Sequence, residues 1–247
     1  MTFIKFENLS VHYGPIKAVD NLNIEAEKGS VICILGANGA GKSTTMRMIT
    51  GYITPDSGDA ILGDHSIVDE PEAAKSIIGY LPENAPSYPD MDVQGFLRFA
   101  AEIRGMDGTE RDKSVDHAIE VCSLESVRRQ NIDTLSKGFT HRTCLAQSIL
   151  HDPEVLILDE PTDGLDPNQK HDARQLIKRL GETKAIIFST HILEEVEAAC
   201  SRAIIIDQGR IVANGTPEEL KKQSKTNRLD DLFRELTVSD TKQKEAA

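Results

Sequence analysis

The chain has 247 residues, enough for one large domain or two small ones around a core of useful size. Its formal net charge of −12 argues against broad nucleic-acid binding, which needs clustered Lys and Arg; 39% hydrophobic and 28% charged residues are ordinary for a soluble globular protein. No apolar run approaches the length of a membrane span and the N-terminus lacks a signal peptide's apolar core, so any membrane work is expected from the cytosolic face through a partner.

Residues 3–13 alternate, with Ile4, Phe6 and Val11 apolar among polar neighbours, as in a half-buried strand. Tyr13-Gly14-Pro15 turns the chain, and Leu22, Ile24 and Ala26 alternate against Asn23, Glu25 and Glu27 in a second strand. Lys28-Gly29 leads into Ser30-Val31-Ile32-Cys33-Ile34-Leu35, an apolar run that reads as a buried strand. Gly36-Ala37-Asn38-Gly39-Ala40-Gly41-Lys42-Ser43-Thr44 follows and fits the pattern of a phosphate-binding loop. Thr44 to Ile49 then reads as a helix. In that setting the glycines let the backbone wrap a polyphosphate, and the helix start adds free N–H donors. Lys42 can reach the outer phosphates, and Ser43 offers a hydroxyl to Mg²⁺.

Pro55-Asp56-Ser57-Gly58 is expected to be a turn, and Ile77 to Pro82 is an apolar stretch ending at Glu83. A proline-rich loop, Asn84 to Pro89, precedes a mostly helical segment from about Val93 to Leu150, broken at Gly105 to Gly108. Within it, Ser136 is placed to cap a helix and Gly138 permits close backbone approach; taken alone, Leu135-Ser136-Lys137-Gly138-Phe139 is only a helix cap. Val155–Leu158, Ala185–Phe188 and Ala203–Ile206 are continuous apolar runs, the pattern of parallel strands buried on both faces. Helical stretches around His171–Leu180 and Ile192–Cys200 supply crossovers. Ligands sit at the carboxyl ends of such strands, so Gly36, Asp159-Glu160 and Ser189-Thr190-His191 are expected to converge on one site. Asp159 suits a Mg²⁺ shell and Glu160 a water-polarising base; as bare sequence they are also two solvated acids ending a strand. Leu229, Leu232, Phe233 and Leu236 make a short amphipathic helix, and from Thr237 onward the chain reads as a polar, disordered tail. Four scattered cysteines, Cys33, Cys122, Cys144 and Cys200, form no Cys-x-x-Cys pair, which points away from structural zinc.

Taken together, these motifs resemble the nucleotide-binding subunit of an ATP-binding-cassette (ABC) transporter, over about residues 2–236. The order is the family's: Tyr13 as the adenine-stacking aromatic, Gly36–Thr44 as the phosphate loop, and Glu83 where Gln is usual. Leu135–Phe139 then stands as the signature, followed by Asp159 and Glu160, Thr162–Asp166 as the D-loop and His191 as the switch histidine. Pro82-Glu83, the Lys-Gly signature and Leu229-Asp230-Asp231-Leu232-Phe233 are most similar to ATPases of type-two exporters, of the gliding-motility and copper-enzyme-maturation groups. Thr140-His141-Arg142 and Asp163 also depart from the commoner residues. Read singly, Tyr13 also fits a strand-end aromatic and His191 a solvated loop histidine, each the lesser reading.

The resemblance implies an α/β fold: a P-loop ATPase core with a mainly parallel sheet, an N-terminal antiparallel β subdomain and an inserted helical subdomain. The core would take residues 1–83 and 152–224, the helical subdomain 84–151, a C-terminal helix 228–236 and the tail 237–247. It implies ATP and Mg²⁺ as cofactors. ATP would lie against Tyr13, Gly36, Asn38, Gly39, Ala40, Gly41, Lys42, Ser43 and Thr44, with Ser136 and Gly138 added across a dimer interface. Ser43, Glu83 and Asp159 would face the metal; Glu160, His191 and Lys42 would carry hydrolysis. The implied partners are an integral membrane permease and a second ATPase subunit, with no nucleic acid. The implied function is to power export by ATP-driven dimer closure and opening. The rivals are an ATP-gated regulator that moves no solute, a soluble ABC protein acting on ribosomes or DNA, and a P-loop kinase.

Overall fold

The structure, a computed structural model, describes residues 2–238. Strands β1 (Thr2–Tyr13) and β2 (Ile16–Glu27) form an antiparallel hairpin, and β4 (Ser57–Leu62) and β5 (His65–Ser66) extend it to a four-stranded sheet ordered β2-β1-β4-β5. The second sheet is built from β3 (Val31–Leu35), β6 (Ile78–Leu81), β7 (Val155–Asp159), β8 (Ala185–Thr190), β9 (Arg202–Asp207) and β10 (Arg210–Gly215). Its order is β10-β9-β3-β8-β7-β6; all neighbours run parallel except the β9–β10 hairpin.

The apolar strands have two buried faces because each covers a different layer. Ile32, Ile34, Ile157 and Ile187 face α1 (Lys42–Ile49) and the antiparallel sheet. Cys33, Leu35, Leu156, Leu158 and Phe188 alternate with them and face the opposite helical layer. Period-two alternation thus serves two cores rather than a core and solvent. Helix α2 (Pro71–Ser76) joins the first core through Ala74. Between β6 and β7 the chain forms α3 (Val93–Ile103), α4 (Gly108–Val121), two single 3₁₀ turns and α5 (Lys137–Ile149). Phe96, Leu97, Ala118, Ile119 and Cys122 are all buried there. Helices α6 (Pro167–Gly181) and α7 (Leu193–Ala199) are the crossovers, and α8 (Pro217–Gln223) and α9 (Leu229–Val238) close the chain.

Two local expectations are corrected. Ser57 and Gly58, read as a turn, begin β4; Gly58 adopts φ 81° where a Cβ would meet the Glu7 and Asn8 carbonyl oxygens, so glycine serves close strand packing at an irregular register. Helix α9 runs past Leu236, so Thr237 is helical and its hydroxyl donates to the Phe233 carbonyl at 2.7 Å. The rest of the expected tail, residues 239–247, lies outside the described residues.

Candidate nucleotide site

Strand β3 ends at Leu35, and the loop to α1 is held in place from three sides. The Gly36 N–H donates to the Thr190 carbonyl at 3.3 Å, which joins the loop to the end of β8. The Gly209 N–H, in the β9–β10 turn, donates to the Ala40 carbonyl at 2.9 Å, and the Gly209 carbonyl accepts the Asp20 N–H at 2.8 Å. Gly41 takes φ 107°, and a Cβ there would stand 2.5 Å from the Ala18 carbonyl oxygen. Only glycine meets both demands. Gly41→Ala is therefore expected to destabilise the fold by about 2–3 kcal/mol, read as a fall in Tm of about 5–10 °C. An unchanged Tm would show that the loop relaxes freely.

Asp159 ends β7 and is buried. Its Oδ1 accepts the Ser43 hydroxyl at 3.2 Å and the Ser189 hydroxyl at 2.5 Å. Ser189 Oγ in turn accepts the Glu160 N–H at 2.9 Å. The loop serine at the start of α1 and the carboxylate at the end of β7 thus meet as two hard oxygen donors, a set that suits Mg²⁺. Glu160 has φ 51°, an uncommon backbone state for glutamate, and its carboxylate lies between two partners. Oε1 stands 3.2 Å from Lys42 Nζ, and Oε2 stands 2.9 Å from His191 Nδ1. Lys42 Nζ also donates to the Gly36 and Ala37 carbonyls at 2.9 and 3.3 Å. The lysine is buried, as is Glu160, while His191 is open to solvent. Lys42 and Glu160, both buried, are therefore paired with each other and hydrogen-bonded.

Ser189 is a site residue whose bonding the sequence pattern does not reveal; the Ser-Thr-His run after a buried strand is its only signal. Ser189→Ala would leave both Asp159 Oδ1 and the Glu160 N–H short of a partner in a buried place. The expected loss is about 2 kcal/mol of unfolding free energy, measured by denaturant titration. No change in the midpoint would mean that water replaces the hydroxyl.

All of this faces one cleft of about 1210 Å³. Tyr13, Asn38, Gly39, Gly41, Lys42, Ser43, Thr44, Glu83, Glu160 and His191 line it. Gly36 and Ala40 stand behind the lining: a Cβ on Gly36 would meet the Ile206 carbonyl at 2.8 Å and Ala40 at 3.0 Å. Asp159 lies beneath Ser43. At the far end, half-exposed Tyr13 stands with Ile16 and Val212, an apolar platform beside the Asp20–Arg210 ion pair. Asp163 also lines the cleft.

Ser136 and Gly138 are not among the lining residues. Ser136 caps α5, its Oγ accepting the Phe139 N–H at 3.4 Å. Gly138 is buried against Gln169 of α6, and the Lys137 ammonium fills the space a side chain at Gly164 would need. The segment Leu135–Phe139 thus packs on Gly164 and Gln169 of its own chain, apart from the cleft.

The family model for ABC transporters matches residues 19–163. The chain belongs to the ABC transporter family. It is an ATP-binding subunit and an ATPase. It is 36% identical to the linearmycin resistance ATP-binding protein LnrL of Bacillus subtilis, over 96% of this chain and 75% of that one. It is also 36% identical to the Nod factor export ATP-binding protein I of Cupriavidus metallidurans, over 88% of this chain and 72% of that one. A solved ATP-binding subunit of an ABC transporter superposes with a TM-score of 0.84 at 28% identity, covering 95% of this chain and 99% of that one.

Proposed function

We propose that this ABC ATPase subunit powers an exporter-type membrane complex, and that two copies close over two ATP molecules in each cycle. The observation that carries the dimer reading is the separation just described. The cleft holds a phosphate loop and a water-poising pair, whereas Ser136 and Gly138 open a helix outside it. Free N–H donors at a capped helix start suit a phosphate. A second copy facing head to tail would bring them to the γ-phosphate.

Within one cleft, the loop amides and Lys42 would hold the phosphates and Tyr13 would stack on adenine. Mg²⁺ would be held by Ser43 and Asp159, with Glu83 near; when bound it would neutralise developing charge on the phosphates. A γ-phosphate would compete with Glu160 for Lys42. Glu160, relieved of that partner, would accept a proton from water, and His191 would hold its carboxylate in place.

The membrane partner would dock between the core and the helical segment. A groove of about 440 Å³ there is lined by Tyr52, Tyr80, Lys75 and Arg104, with Tyr52 and Tyr80 in tilted ring contact. Tyr88, half exposed in the loop after Glu83, meets Phe99 edge-on nearby in sequence. Among the described residues no helix is long and apolar enough to cross a membrane, which suits a peripheral subunit. Export is supported by the relatives' own descriptions, linearmycin resistance and Nod factor export.

The experiment is to isolate the tagged chain with its membrane protein from detergent-solubilised cells and reconstitute both into vesicles. ATP-dependent outward movement of a solute supports export. ATP hydrolysis with no solute movement favours the regulator instead. Failure of any membrane protein to co-purify would overturn the docking reading.

A further inference from the structure

Glu195 belongs neither to the phosphate loop nor to the metal-facing set, yet it is 1% exposed on α7. A buried acid is costly where an apolar residue would pack as well, so its retention asks for a cause. Its Oε1 accepts the hydroxyl of Thr162, itself 1% exposed. Its Oε2 is sealed from solvent and makes no hydrogen bond among the described residues. Burial raises its pKa; the Thr190 hydroxyl and, from α6, the Lys170 and Arg174 charges act the other way, and the Glu160 charge adds to the rise.

What Glu195 touches is specific. Thr162 is two residues past Glu160, whose backbone is in the left-handed region. Thr190 immediately precedes His191, and its hydroxyl accepts the Ile192 N–H at 3.0 Å. The Glu195 N–H donates to the Ile192 carbonyl at 3.2 Å. Glu195 therefore bridges the loop that follows Glu160, through its carboxylate, and the turn that carries His191, through its backbone N–H. These segments come from different strands, and among the described bonds the part-buried Glu160–His191 contact is otherwise their direct side-chain tie beyond Ser189.

We propose that Glu195 is a positioning residue: through Thr162 it locks the Glu160 loop to the His191 turn, so that the two catalytic candidates keep their mutual geometry. This rests on the reading of Glu160 and His191 as the water-poising pair. A residue that only filled space would affect stability alone; a positioning residue moves kcat and leaves ATP binding in place.

The test uses the full chain with Thr162→Val, which keeps shape and removes the hydroxyl, and Thr162→Ser, which keeps the hydroxyl. Thr162→Val is expected to lower kcat about tenfold with KM for ATP within about twofold, and Thr162→Ser to stay within about threefold of the original kcat. Glu195→Gln added to Thr162→Val should slow it no further, since the bond is already gone. Hydrogen exchange gives a second readout that needs no turnover: in Thr162→Val, amides 190–192 should exchange faster along with 160, 162 and 163. Unchanged exchange at 190–192 would overturn the link. Faster exchange with unaltered kcat, or multiplicative losses in the double variant, would overturn the positioning role. Failure of the Glu160 reading is distinguishable, because Glu160→Gln would then retain turnover whatever Thr162 does.

Discussion

Glu160→Gln is expected to slow ATP turnover about a thousandfold while ATP still binds. The amide has nearly the shape of the carboxylate, so the strained turn at φ 51° and the N–H bond to Ser189 are kept. What disappears is the negative charge between Lys42 and His191 that can take a proton from water. A thousandfold loss corresponds to about 4 kcal/mol of transition-state stabilisation. The buried Lys42 ammonium keeps the Gly36 and Ala37 carbonyls but loses its ionic partner, so a lowered Tm without nucleotide is expected alongside the loss of turnover. The same variant reports on the dimer. With ATP and Mg²⁺ at saturation it should elute as a two-copy complex, because closure would occur and hydrolysis would no longer reverse it. Turnover within tenfold of the original would sink the base assignment. A persistent monomer under saturating nucleotide would sink the sandwich.

The second large effect is expected from Lys42→Ala. The ammonium is buried and held by two loop carbonyls and Glu160, aimed where outer phosphates would lie. A charge-assisted contact of that kind contributes about 1.5–3 kcal/mol, so ATP affinity should fall by about ten- to a hundredfold, and turnover by more. Removing the lysine also leaves the buried Glu160 with His191 as its remaining ionic partner, which destabilises the fold. The two effects separate cleanly. Tm without nucleotide reads the buried-charge cost, and ATP titration followed by fluorescence or calorimetry reads the phosphate contact. A lowered Tm with undiminished affinity would show that Lys42 is structural and not a phosphate ligand.

Much of this protein can be read from residue order, because the relevant physics is local. Apolar runs closed by Gly36, Asp159 and Ser189 read as parallel strands buried on both faces, and such strands present their carboxyl ends to one crevice. That is why the phosphate loop, both acids and His191 could be expected on one edge, with Ser136 at a helix cap. Residues 65–76, which form β5 and α2, and the β10 strand carried no comparable signal. What only the tertiary structure decided are contacts between residues far apart in the chain. The register of β7 against β8 sets Asp159 opposite Ser189 and so makes the serine a shared partner of both acids. A one-residue slip would turn that hydroxyl to the opposite face. The Gly209 clamp on the phosphate loop, the Thr162–Glu195 bond and the packing of Lys137 on Gly164 and Gly138 on Gln169 depend likewise on how separate layers dock. Sequence periodicity specifies which face of an element is apolar; which polar atoms then meet follows from strand register and layer packing.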